Sequence, residues 1–219
     1  MEIFLDTANM EEINHILKWG IVDGVTTNQK IFLQEKGVNF EERILEICDK
    51  LGKRPVSVES NATTLDEMLS DARSFHKISS NIVPKVPMTS NGIGLEATNI
   101  LSQEGIPVNV TVMMSLNQLI LATKSGATFV SLFFNRSKDA GENAPKIVSD
   151  YVRWSKDNNY STKLIVGSIR HPSDIAELTS LNPHVITIPY KIIREMAFHK
   201  KTEETIEEFD KAWKEFTNK

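Results

Sequence analysis

Eight short β-rich runs recur along the 219 residues, spaced by roughly 20 to 30 residues, with helix-like segments between them. They are "EIFLD", "VDGVTT", "PVSVES", "NIVPKVP", "VNVTVM", "TFVSLFF", "KLIVGS" and "HVITI". Strands that alternate with helices in this way belong to βα units, whose consecutive strands lie parallel. Eight units in a chain of this length fit a (β/α)8 TIM barrel near its lower size limit, with a doubly wound sheet as the alternative.

Local signals agree with the rhythm. Thr64 and Glu67 predict a capping box ahead of Leu65, Met68, Ala72 and Phe75, and Ser115 with Gln118 repeats it. Gly105 and Gly126 stand where such helices should stop. No Gly-, Ser- or Pro-rich linker, low-complexity tract or close internal repeat interrupts the pattern, so residues 1–219 are expected to form one barrel domain. Beyond the eighth unit, Ile206, Phe209, Trp213 and Phe216 form an apolar stripe at helical spacing. They predict an additional C-terminal helix over 202–216, packed either on its own barrel or on a neighbouring subunit.

Lysine and arginine number 25 against 29 acidic residues, a net charge of −4 spread without a basic block. Nucleic acid and membrane surfaces are therefore not expected partners, and an anionic ligand would be held by a few placed arginines. No apolar run is long enough to span a bilayer, and the opening "MEIFLDTANM" lacks the pattern of a signal peptide, so a cytoplasmic protein is expected. Cys48, the only cysteine, leaves no partner for an internal disulfide or a thiolate cluster and reads as a core-facing helix residue. The five histidines make no two-histidine helical motif, and His171 in "RHPSD" reads as a turn or helix-start residue. No Walker-type loop or dinucleotide fingerprint occurs, so neither a metal nor a cofactor is expected.

In a barrel of this kind the C-terminal ends of the strands build the active site. Read to their ends, the strand candidates deliver Asp6, Thr26 and Asn28, Glu59, Lys85, Asn109 and Thr111, Ser131 and Arg136, then Ser168 and Arg170. Seven of the eight strands contribute. Each residue alone has a plain structural role: Asp6 as a helix cap, Asn28 in a turn, Thr111 and Ser131 satisfying backbone groups. As a set they are different, because charged and amide groups converging on one mouth desolvate or repel one another unless a ligand uses them.

Lys85 is the sharpest member. Burial among Val83, Val86 and Pro87 penalises an ammonium and favours the neutral amine, which can attack a carbonyl to form a Schiff base. The competing reading is an edge-strand lysine with its amine in water, which Pro84 and Pro87 would suit. Arg136 and Arg170 offer planar forks for phosphate oxygens, and Ser168 adds a hydroxyl from the same loop as Arg170.

The segments "FLDTAN", "GIVDGVTTN", "PKVPMT", "NVTVMMS", "SGATFVSLFFNR" and "SIRHP" resemble, in order and spacing, the small transaldolase family, which includes transaldolases and fructose-6-phosphate aldolases. The likeness extends from Met1 to about Phe216. It implies a (β/α)8 barrel and class I aldol chemistry through a lysine Schiff base, acting on sugar phosphates of the pentose phosphate pathway without metal or cofactor. It also implies a ring-like homo-oligomer, a pentamer or a decamer of stacked pentamers, with the terminal helix reaching a neighbour.

By the same resemblance Lys85 matches the Schiff-base lysine and Asp6 the acid/base carboxylate, while Glu59 and Thr111 match the pair that positions a catalytic water. Asn28 and Asn109 match donors to substrate hydroxyls with Ser131 beside them, and Arg136, Ser168 and Arg170 match the phosphate-binding group. The aldolases of the family carry tyrosine where Phe133 stands and glutamine where Glu59 stands, so this pair is the transaldolase combination. A transaldolase is therefore the leading expectation; the alternatives are an aldolase that releases free dihydroxyacetone and a non-catalytic phosphosugar-binding barrel. Gln29 replaces the family's usual proline beside Asn28, which predicts a less fixed loop, and Pro84 removes a backbone donor just before Lys85.

Overall fold

A computed structural model describes residues 1–218. In chain order the first half contains β1 Glu2–Asp6, α1 Met10–Leu17, β2 Gly24–Thr26, α2 Gln29–Phe32, α3 Phe40–Leu51, β3 Val56–Glu59, α4 Leu65–Ile78, β4 Ile82–Pro87 and α5 Ile93–Gln103. The second contains β5 Asn109–Met113, α6 Leu116–Lys124, β6 Phe129–Phe133, α7 Phe134–Asp139, α8 Ala144–Asp157, β7 Lys163–Gly167, α9 Pro172–Thr179, β8 Val185–Pro189, α10 Tyr190–Ala197 and α11 Lys200–Thr217. The strands close into a barrel in sequence order, every pair parallel, with β8 returning to β1 along its whole length. The expected (β/α)8 barrel with an additional C-terminal helix is what forms.

The sequence signals act where they were read. Thr64 and Ser115 both complete capping boxes, with Glu67 and Gln118, at the starts of α4 and α6. Closure leaves no strand edge, so Pro84 does not mark one: it lies within β4, opposite Val58 of β3, at the cost of a ladder donor. Cys48 is buried on α3, and burial pushes its thiol up to about 11.

Inside the barrel the strand period of two writes the residues in layers. Phe4, Val83, Phe129, Ile165 and Val185 form an apolar plug near the N-terminal ends of five strands. Two residues further along those same strands come Asp6, Lys85, Ser131, Gly167 and Thr187, while Thr26 and Glu59 end β2 and β3 and Thr111 lies within β5. The plug is thus the floor of a polar layer. Gly24 makes room for the floor, since a Cβ there would stand 2.8 Å from the ring of Phe4.

One strand departs from regularity. The pairing of β5 with β6 shifts register between Val110 and Met113, and Val112 carries φ 63°. A β-branched residue in that region costs on the order of 1–3 kcal/mol, and bulges of this kind re-aim side chains beside active sites. Thr111 lies inside the bulge.

α11 runs longer than expected, and none of its residues is buried. Ile206, Phe209, Trp213 and Phe216 are all exposed, between 50% and 70%, so the stripe does not pack on its own barrel. Among the described residues no helix is long and apolar enough to cross a membrane.

Candidate active site

The polar layer opens at the C-terminal mouth into a cavity of ≈ 110 Å³. Its wall includes Asp6, Thr26, Asn28, Lys85, Asn109, Thr111, Ser131, Phe133, Arg136 and Ser168, ten of the twelve residues expected at the site. Glu59 reaches in from an adjoining cavity, and Arg170 stands outside.

Lys85 is 7% exposed at the centre of β4. Its Nζ lies 2.9 Å from Glu59 Oε2 and donates to the carbonyl of Thr27 at 3.0 Å. Lys85 is thus buried within hydrogen-bonding distance of a carboxylate and a backbone carbonyl, not enclosed by apolar groups alone. Neither partner is easily removed, because stripping one charge from a buried pair costs about 3–5 kcal/mol.

Asp6 ends β1 beside Lys85. Burial pushes its carboxyl above the ordinary value; the Thr26 hydroxyl and the Lys85 charge pull it back in part, and Glu59 adds to the rise. Thr26 Oγ1 donates to Asp6 Oδ1 at 2.6 Å and also lies 2.6 Å from Thr187 Oγ1.

The amide and hydroxyl groups divide into tied and free. Asn109 is fully buried; its Nδ2 donates to Ser57 Oγ at 3.2 Å and its Oδ1 accepts from Ser131 Oγ at 2.7 Å. Asn28 caps α2, its Oδ1 accepting from the Ile31 N–H, and it also lines the cavity. Thr111 is also fully buried, and its hydroxyl has no protein partner. A buried hydroxyl left so costs about 1–3 kcal/mol, which an oxygen bound in the cavity would offset.

The arginines separate. Arg136 follows β6, with its guanidinium carbon 5.0 Å from the centre of the Phe133 ring and its side chain on the cavity wall. Arg170 instead makes a two-pronged pair with Asp139, 3.0 Å from Nη1. The loop that carries Ser168 and Arg170 is organised by Asp174, whose carboxylate accepts from the backbone N–H groups of Arg170 and His171 and from Asn135 Nδ2. Burial would raise the Asp174 carboxyl, but these donors hold it below its usual value. His171 is the N-cap of α9, as read.

The loop beside Asn28 is tied rather than loose. Gln29 Nε2 donates to the Ser60 carbonyl at 2.9 Å, and Ser60 Oγ donates to Asp71 Oδ2 at 2.6 Å. A hydrogen bond from Gln29 thus links the loops after β2 and β3, next to Asn28 and Glu59.

Three contributors escaped the sequence reading: the Thr27 carbonyl, Asp174 and Thr187. A backbone acceptor has no side-chain signature. Asp174 lies past the strand end, inside the helix start that His171 marks. Thr187 was within reach of the alternation that yields Val185 as its inward neighbour, but "HVITI" reads as β-branched strand formers throughout.

A family model described as Transaldolase/Fructose-6-phosphate aldolase matches residues 3–219. A protein of Kosmotoga olearia named "Probable transaldolase" is 40% identical over 216 residues, covering 99% of this chain and 97% of its own. Proteins of the same name from Petrotoga mobilis, 42% identical over 216 residues, and Methanococcus vannielii, 40% over 213, cover 99% and 97% of this chain and 96% and 97% of their own lengths.

Proposed function

The chain belongs to the transaldolase/fructose-6-phosphate aldolase family, and from that membership we propose that it is a transaldolase. It moves a dihydroxyacetone unit from fructose 6-phosphate or sedoheptulose 7-phosphate to erythrose 4-phosphate or glyceraldehyde 3-phosphate, as a cytoplasmic enzyme of the pentose phosphate pathway. The observation that carries this reading is the contact between Lys85 Nζ and Glu59, 2.9 Å long, in a mouth shared with the Asp6 carboxylate.

The Lys85 proton passes to Glu59, and the freed amine attacks the ketose C2 carbonyl; loss of water gives an iminium. The iminium draws electrons from the C3–C4 bond as Asp6 takes the C4 hydroxyl proton, and an aldose phosphate departs. The remaining three-carbon enamine stays bonded to Lys85, attacks the aldehyde of the acceptor, and the steps reverse to release the new ketose. Glu59 and the partnerless Thr111 hydroxyl hold the water that adds and leaves. A cavity of ≈ 110 Å³ suits a three-carbon fragment, with the phosphorylated end lying outward towards Arg136 and Ser168. Arg170 joins that end by exchanging the Asp139 carboxylate for phosphate oxygens.

Phe133 favours transfer over release. A phenol in its position could protonate the enamine and free dihydroxyacetone, whereas a phenyl ring cannot donate. The exposed stripe of α11 supports assembly into a ring-like homo-oligomer, a pentamer or decamer, in which each stripe covers a neighbouring subunit.

Borohydride reduction in the presence of fructose 6-phosphate should fix a three-carbon adduct on Lys85, seen by peptide mass spectrometry. Lys85→Ala should lose at least about a thousandfold in transfer rate. Undiminished transfer by that variant rules the assignment out, and release of dihydroxyacetone at the same rate with and without an aldose phosphate favours the aldolase.

A further inference from the structure

The eighth strand brings one group to the mouth that the reaction above leaves unused. Thr187 is 7% exposed, and its Oγ1 lies 2.6 Å from Thr26 Oγ1, which is itself 2.6 Å from Asp6 Oδ1. A hydroxyl has a single proton, and an ionised carboxylate only accepts. Thr26 spends its proton on Asp6, so the proton in the other contact comes from Thr187. The chain of donation runs from Thr187 to Thr26 to Asp6.

The backbone keeps Thr187 in this orientation. A Cβ built on Gly167 of the neighbouring strand β7 would stand 3.2 Å from Thr187 Cγ2, tighter than ordinary contact. Gly167 is not among the glycines with positive φ, so its missing side chain serves space and not conformation. The Thr187 methyl group sits over that space, which leaves the hydroxyl to face Thr26.

We propose that Thr187 is a positioning residue, which through Thr26 fixes the orientation of the Asp6 carboxylate that takes the C4 hydroxyl proton of the substrate. The proposal rests on the function given above. Asp6 is faced by Thr26 from β2, Glu59 from β3 and Lys85 from β4, and Thr187 of β8 reaches it only through Thr26. Of these, Thr26 and Lys85 favour the ionised carboxylate and Glu59 opposes it. Donation from Thr187 polarises the Thr26 hydroxyl towards Asp6, strengthening its bond to the ionised form more than to the protonated one.

Thr187→Val keeps the shape and removes the proton. With fructose 6-phosphate as donor and erythrose 4-phosphate as acceptor, kcat should fall roughly tenfold while KM stays within about twofold, the pattern of a lost transition-state interaction. The acid limb of the kcat profile should move to higher pH, which a packing defect would not produce, and Thr187→Ser should recover most of both. If the valine variant does not fold, Thr187→Ala carries the same expectation. A valine or alanine variant with unchanged kcat and acid limb overturns the proposal, as does a serine variant that behaves like valine. Borohydride trapping of the wild-type protein on the same samples separates the two levels: no adduct on Lys85 overturns the function itself and the proposal with it.

Discussion

At neutral pH an ionised Asp6 works against the fold, because burial lifts its carboxyl above 3.8 by more than Thr26 and Lys85 offset. The folded chain binds this proton more tightly than the unfolded one. Stability is therefore fully present while Asp6 is protonated, and is lost as pH rises from about 3.8 through the raised value. Asp6→Asn should accordingly melt above the wild type at pH near 7 and not turn over, with the gap closing in acid; a lower melting temperature at neutral pH would contradict this. Such opposed demands were partly visible in the amino-acid string. Lys85 is conspicuous because a charge inside an apolar run is costly, but the string does not pair it with Glu59 of the neighbouring strand. Arg170 shows the same limit, since nothing near it in sequence announces Asp139, 31 residues away.

Among the elements, the short helix α2 and the loop after β3 are joined by a hydrogen bond from one side chain. Gln29 occupies the first helical position after the Asn28 cap, where proline is favoured for its fixed φ. A glutamine there does not stiffen the backbone, and its amide instead reaches Ser60. Gln29→Ala should lower kcat roughly two- to tenfold, the value of one such bond, with little change in melting temperature. Full activity in this variant would mean that the ladder contacts Val25 to Val56 and Thr26 to Ser57 suffice to hold both loops. Element existence was legible because strand alternation, capping boxes and stop glycines are local. The bulge at Val112 was not, because register is decided by the partner strand and the residue itself is a strand former.

For the molecule as a whole, the barrel was legible from eight repeated units, and the destination of α11 was not. An apolar stripe reads identically whether its own core or a neighbour covers it; its exposure in the folded chain shows that its own barrel does not. Replacing Phe209 and Trp213 together by glutamate should reduce the solution mass to that of a single chain while the circular dichroism of the barrel persists. An unchanged mass by light scattering would contradict the proposed role of the stripe in assembly. Cys48, sealed within α3 with its thiol well above neutral, carries a different consequence. A maleimide has nothing to alkylate until α3 parts from the strands beneath it, so the pace of labelling is a clock for that opening. Each modified sulfur then marks one chain caught open.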